Sequence, residues 1–208
     1  MQNRVDPFGN IIATAARGQW LGNRGQLHGQ GKTILRPFKH QAWIICALQF
    51  KGRHREIMAP NLWTELFFLD EATALAAGHR PCFECRREAA VRFKTTWIMG
   101  NPGHGFHQKT LIGQIDAILQ TERINAHKEK VTFREKAGQL PNGTFIAIAA
   151  HPYLVVDGMI YPWNPFGYGA GQLIDPQEEV TVLTPRSIVA AIKTGYSPQI
   201  SLANVTSI

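Results

Sequence analysis

A chain of 208 residues that is 44% hydrophobic and only 18% charged can bury a sizeable core, as one large domain or two small ones, and falls outside the disordered class. Three cysteines are too few for a disulfide scaffold, and no apolar run approaches the roughly 20 residues needed to span a bilayer. Met1 to Pro7 lacks the apolar segment of a secretory signal, so the expected compartment is the cytoplasm, with no membrane partner.

The formal net charge of +7 and the pI near 9.6 favour polyanions, because exposed Lys and Arg displace counterions from phosphate. The plainer alternative is a soluble protein that happens to be basic. Many of the cations, from Arg17 and Arg24 through Arg53, Arg55, Arg80, Arg86 and Arg87 to Lys94, lie in the half that holds the cysteines. That clustering makes nucleic acid the expected partner.

In chain order, Met1 to about His40 is punctuated by glycine too often for a long regular element, and only Asn10–Thr14 and Thr33–Leu35 are weak strand candidates. Gln41–Phe50 reads as a full strand, Lys51-Gly52-Arg53 as a hairpin turn, and His54–Met58 as the returning strand, ended by Pro60. After the aromatic segment Leu62–Phe68, Asp70 is placed to cap a helix of alanines that Gly78 stops. A second helix is expected from about Cys82–Arg86 to Met99, and a third from Leu111 to Ile124 with Leu111, Ile115, Ile118 and Leu119 on one face.

The polar stretch from Ala126 to Asn142 reads as a linker or long surface loop. Beyond it, Gly143–Ala149 is an apolar strand, and Asp157-Gly158 between Tyr153–Val156 and Met159–Tyr161 is a strong hairpin signal, since both turn positions favour positive φ. The aromatic loop Pro162–Gly171 follows, either to stack bases or to pack over its own sheet. Glu179–Leu183 is a further strand. Thr184 and Pro185 then open a last helix, with Gly195 just past its end. The expected fold class is α+β: an N-terminal β-ribbon and helix module with a helical extension over residues 1–125, then a small β-rich part with a terminal helix over 126–208.

The chemistry concentrates at Arg80-Pro81-Cys82-Phe83-Glu84-Cys85-Arg86-Arg87. Thiolates two residues apart can grip one tetrahedral cation from a single turn, so Cys82 and Cys85 read as half of a zinc site. Two residues are candidates to complete it. Cys46 sits on the apolar strand, where a small buried hydrophobe is the plainer reading. His54 offers an imidazole nitrogen, and its plainer reading is an exposed histidine.

The run Phe68 to Arg87 resembles the Ada-type metal-binding domain. Glu71-Ala72, Ala74, Ala77-Gly78, Arg80-Pro81-Cys82, Cys85 and Arg86 fit its pattern of a short alanine helix ending in Gly, then Arg-Pro-Cys-x-x-Cys-Arg. The resemblance covers about 20 residues and implies an Ada-like β-ribbon fold, a zinc site and DNA as partner. In that family an earlier cysteine pair completes a four-thiolate site whose sulfur accepts a methyl group from DNA phosphate. No Cys-x-x-x-Cys precedes the helix in this chain, and His54 falls near the second thiolate's place. Exchanging sulfur for neutral nitrogen removes the charge that makes such a thiolate nucleophilic, so methyl acceptance is not expected.

The favoured reading is thus a zinc-associated, basic nucleic-acid-binding module without catalysis of its own, with Arg53, Arg55, Arg80, Arg86 and Arg87 on phosphate. A zinc nucleobase or nucleoside deaminase is the enzymatic alternative, since His54-Arg55-Glu56 and Pro81-Cys82-x-x-Cys85 spell its signature. A structural or interaction protein with a vestigial metal site is the third.

Overall fold

The computed structural model describes residues 1–52 and 56–202. Its first half contributes β1 (Gln2–Val5), β2 (Ile11–Ala13), β3 (Trp20–Asn23), β4 (Ile44–Cys46), β5 (Leu66–Phe68) and β6 (Arg80–Pro81), with helix α1 (Glu71–Ala76) between the last two. These strands form one sheet in the order β2-β1-β5-β3-β4-β6. Two helices follow, α2 (Arg87–Gly100) and α3 (Ile112–Arg123).

The second sheet is built from β7 (Phe133–Lys136), β8 (Phe145–Ile148), β9 (His151–Val156), β10 (Met159–Asn164), β11 (Gly167–Tyr168), β12 (Gln172–Leu173) and β13 (Glu179–Val182). Its order is β11-β10-β9-β8-β13-β7, with β12 paired to β10. Helix α4 (Arg186–Lys193) follows β13. No helix among the described residues is long and apolar enough to cross a membrane.

Two sheets of six and seven strands against four α-helices make this a mostly β chain, and they correct the expectation of an α+β, Ada-like ribbon and helix module. The missed strands are short and poorly patterned. β1 and β3 lie in the glycine-punctuated opening, and β7 lies inside the stretch expected to be a linker. Polar strands such as Phe133-Arg134-Glu135-Lys136 alternate half-buried and exposed, so their composition gives no apolar run to detect. The long strand expected over Gln41–Phe50 shrinks to three residues, and Thr33–Leu35 contributes only a bridge between His28 and Ile34. Of the strand expected over His54–Met58, residues 54 and 55 lie outside the described residues, and Ile57 and Met58 form a turn.

Punctuation by single residues reads true. Asp70 caps α1, its carboxylate accepting from Thr73 N at 2.8 Å. Gly78 stops that helix at φ +87°, where a Cβ would lie 2.8 Å from Cβ of Arg123. Asp157 and Gly158 take φ of 50° and 73° in the β9–β10 hairpin. Thr184 does not cap α4; its hydroxyl accepts from Phe145 N at 2.9 Å, and Pro185 holds the cap position.

The main core joins both ends of the chain: Ile45, Leu66 and Phe68 of the first sheet, Phe93 and Trp97 of α2, Ile115 and Leu119 of α3, and Ile188, Ile192 and Tyr196 at and beyond α4. A second core lies on the other sheet, with Ile146, Val155, Ile160, Val180 and Val182 against Val189. Helix α1 lies at the junction. All six of its residues are buried, with Ala72 and Ala76 against Phe145, Leu154 and Leu183. The aromatic loop closes over it rather than standing free, Tyr168 Oη donating to Asp70 and Trp163 Nε1 to Thr73 Oγ1.

Candidate metal centre

The site is assembled by a parallel pairing between two very short strands. β4 and β6 align with Ile44 opposite Arg80 and Ile45 opposite Pro81, and Cys82 N donates to Ile45 O at 2.9 Å. This register brings the residue after Ile45, which is Cys46, alongside the residue after Pro81, which is Cys82. The chain then turns, with Arg86 N donating to Cys82 O at 3.1 Å, and Cys85 swings back to the same place.

The three sulfurs of Cys46, Cys82 and Cys85 lie within 4.8 Å of one another. Two thiolates on one tetrahedral ion at about 2.3 Å stand about 3.8 Å apart, so this spacing needs only a small contraction around a cation. Backbone amides already serve the sulfurs: Glu84 N donates to Cys82 Sγ at 3.3 Å and Ala47 N to Cys85 Sγ at 3.4 Å. Such donors hold negative charge on sulfur and fix the direction of its remaining lone pairs.

Burial grades the cluster. Cys82 is buried, and Cys46 and Cys85 are half-buried. A hydrogen bond from the Cys46 thiol holds the Cys82 thiol down, to about 5, and its own role as donor pushes the Cys46 thiol up. Loss of solvent raises Cys85. Neighbouring thiols placed this closely shift one another's protonation, as those of one ligand set do.

Cys46, whose plainer reading was a buried hydrophobe, thus joins Cys82 and Cys85. Among the described residues no fourth His, Cys, Asp or Glu enters the cluster. His54, the other candidate ligand, lies outside the described residues, as do Arg53 and Arg55. Three thiolates suit a thiophilic metal ion, and the cluster alone does not identify an Ada-type domain.

The arginines flanking the knuckle are mostly committed internally, which corrects the expectation that they line a phosphate surface. Arg80 is buried, gripping both carboxylate oxygens of Asp116 and Pro81 O. Arg86 pairs with Glu71 at 2.8 Å and lies over the Trp20 ring, 3.8 Å from its centre. Arg87, at the start of α2, is exposed. Sequence reading missed Asp116, Glu71 and Trp20 as partners because nothing in local spacing joins residues so far apart.

Glu56, the proton shuttle of the deaminase reading, does not open a buried helix. It is an exposed residue paired with Lys32 at 2.9 Å. Comparison of the chain with protein-family models, with curated proteins and with solved structures gave no match.

Proposed function

We propose that the chain is a metal-stapled, basic nucleic-acid-binding protein without catalysis at the cysteine centre. Cys46, Cys82 and Cys85 hold a zinc ion, which locks the edge pairing of β4 with β6 and the start of α2. The observation that carries this reading is the meeting of three sulfurs from two separate segments, within 4.8 Å and with amides directed at two of them. Zinc is the natural match to a thiolate set without redox demands. A staple role is favoured because no carboxylate or imidazole among the described residues joins the sulfurs as a proton shuttle.

The nucleic-acid part rests on the net charge of +7 and on the exposed cations of α2. Arg87 is exposed two residues beyond Cys85, and Arg92 is exposed further along α2. A metal that fixes the start of α2 also fixes these two guanidinium groups.

Elemental analysis of protein purified without added metal tests the staple: near-stoichiometric zinc is expected, and metal-free protein that folds normally makes the site vestigial. Binding to duplex and single-stranded DNA is expected to weaken steeply with salt and to fall on Arg87→Glu/Arg92→Glu. Binding unchanged in that variant removes the nucleic-acid reading.

A further inference from the structure

A second cluster of charge lies away from the sulfurs, in a cavity of about 580 Å³ beside the opposite end of β4. Arg24, Arg36, Arg123, Lys128 and Lys130 line it, and Glu129 is the one carboxylate in its wall. Glu129 is exposed and accepts from Asn125 Nδ2 at 2.9 Å.

Arg24 and Arg123 are fully buried, at 0% and 1% exposure. Neither has a carboxylate within ion-pair distance among the described residues. Arg24 donates Nε to His79 Nε2 at 3.1 Å and Nη1 to the carbonyls of Gly9 and Pro37, and its buried Nη2 has no partner. Gly9 lines the same cavity, and a Cβ there would stand 3.8 Å from that Nη2. Arg123 donates only to the backbone carbonyls of Leu119, Gln41 and Asp116. Both guanidinium groups pack on the Trp43 ring, at 3.9 and 4.6 Å from its centre. Lys130 donates to Ala76 O.

Buried cations without anions are costly, and proteins ordinarily pair them. Here Glu129, the carboxylate in the wall, is exposed, and Asp6, whose charge reaches Arg24 and Lys130, also accepts from the backbone and side-chain nitrogens of Asn10. Burial depresses Arg24, Arg123 and Lys130, with repulsion by Arg123 adding to it at Arg24 and by both guanidinium groups at Lys130, while Asp116 pulls Arg123 the other way.

We propose that this cavity binds a small phosphomonoester, its phosphoryl group seated among Arg24, Arg123 and Lys130. A dianion with several oxygens answers three converging cations better than a single carboxylate, and guanidinium forks suit phosphate oxygens. The volume exceeds that of bare phosphate and lies in the range of small-ligand sites, with Phe8, Ile11, Ile34 and Phe38 supplying an apolar wall for the organic part. This site is independent of the metal centre and of DNA binding by α2.

Calorimetric titration of the metal-loaded protein with inorganic phosphate, adenosine 5′-monophosphate and adenosine, at constant ionic strength set by chloride, tests it. Both phosphates are expected to bind, the monoester more tightly, and adenosine not at all. Stronger binding of free phosphate than of the ester would assign the site to orthophosphate and overturn the monoester. Lys130→Gln, which leaves the guanidinium groups in place, is expected to weaken the monoester by about tenfold or more. No heat with either phosphate, or affinity equal in wild type and Lys130→Gln, overturns the proposal, and far-UV and near-UV circular dichroism spectra matching wild type show that the variant is folded.

Discussion

Arg80 and Asp116 meet as a closed fork, Nε 2.7 Å from one carboxylate oxygen and Nη2 2.6 Å from the other, with both side chains no more than 6% exposed. The pair ties the strand that leads into Cys82 to the second turn of α3. Asp116→Ala leaves a buried guanidinium without its anion and is expected to cost about 3–5 kcal/mol in urea unfolding. Arg80→Met/Asp116→Leu, which removes both charges and restores volume, is expected to cost clearly less. Equal losses would mean that packing, not charge, holds this contact.

Metal removal is expected to loosen the same region from the other side. With zinc held by the three cysteines of the folded protein and much more weakly by the unfolded chain, chelation should lower the melting temperature by about 5 to 10 °C, the effect of a ligand present at about a hundredfold its dissociation constant on a chain this long. Cys46→Ser should reproduce the loss as fully as Cys82→Ser. Retention of full zinc content by Cys46→Ser would show that the β4 sulfur is a bystander.

Gly78 is required twice over, by its φ of +87° and by Arg123 standing where a Cβ would go. Gly78→Ala is expected to destabilise by about 2 kcal/mol, from left-handed backbone strain and the displaced arginine stem. Gly158→Ala makes the comparison: it shares a positive φ of 73° but has open space at its Cβ. A smaller loss there isolates the steric part, measured as the shift in denaturation midpoint.

Lys130 gives the pH dependence. Burial, with repulsion from Arg24 and Arg123 against the weaker pull of Asp6, holds its amine down to about 7 from an ordinary 10.5. Between those values the unfolded chain keeps the proton and the folded chain releases it, so stability contributed by this group rises with pH across the window and is lost as pH falls through about 7. Arg24 and Arg123, lowered to about 9, act with the same sign at higher pH. The lysine is therefore isolated as the difference between wild type and Lys130→Met, in zinc-loaded protein from pH 6 to 10. Parallel stability curves would place the amine in solvent; saturating phosphomonoester should flatten the wild-type slope by returning an anion to the ammonium.

What local chemistry decides was legible in the sequence. Asp70, Gly78 and Asp157-Gly158 punctuate the chain through their own backbone and side-chain preferences, and Cys82-x-x-Cys85 announces itself within one turn. What tertiary pairing decides was not. β4 and β6 are so short that only their partnership makes them strands, so Cys46 could be suspected but not placed. Arginines look alike on paper whether they end on solvent, as Arg87 does, or on Asp116 or Glu71. Arg123 lies just before a stretch that reads as a linker and Lys130 lies inside it, and their approach to Arg24 depends on contacts across about a hundred residues.

Beyond Thr73 and Arg86, the carboxylates at the start of α1 receive further donors from far down the chain. Glu71 accepts from Tyr196 Oη and Gln199 N, Asp70 accepts from Ser201 N, and Gln199 in turn accepts from Trp20 Nε1. Translation makes this helix early and finishes its surroundings only after more than 120 further residues have been joined. A nascent polypeptide that has produced the cysteine turn can already set Asp70 on Thr73 and Glu71 on Arg86, but the donors that complete both carboxylates arrive only when the tail folds back.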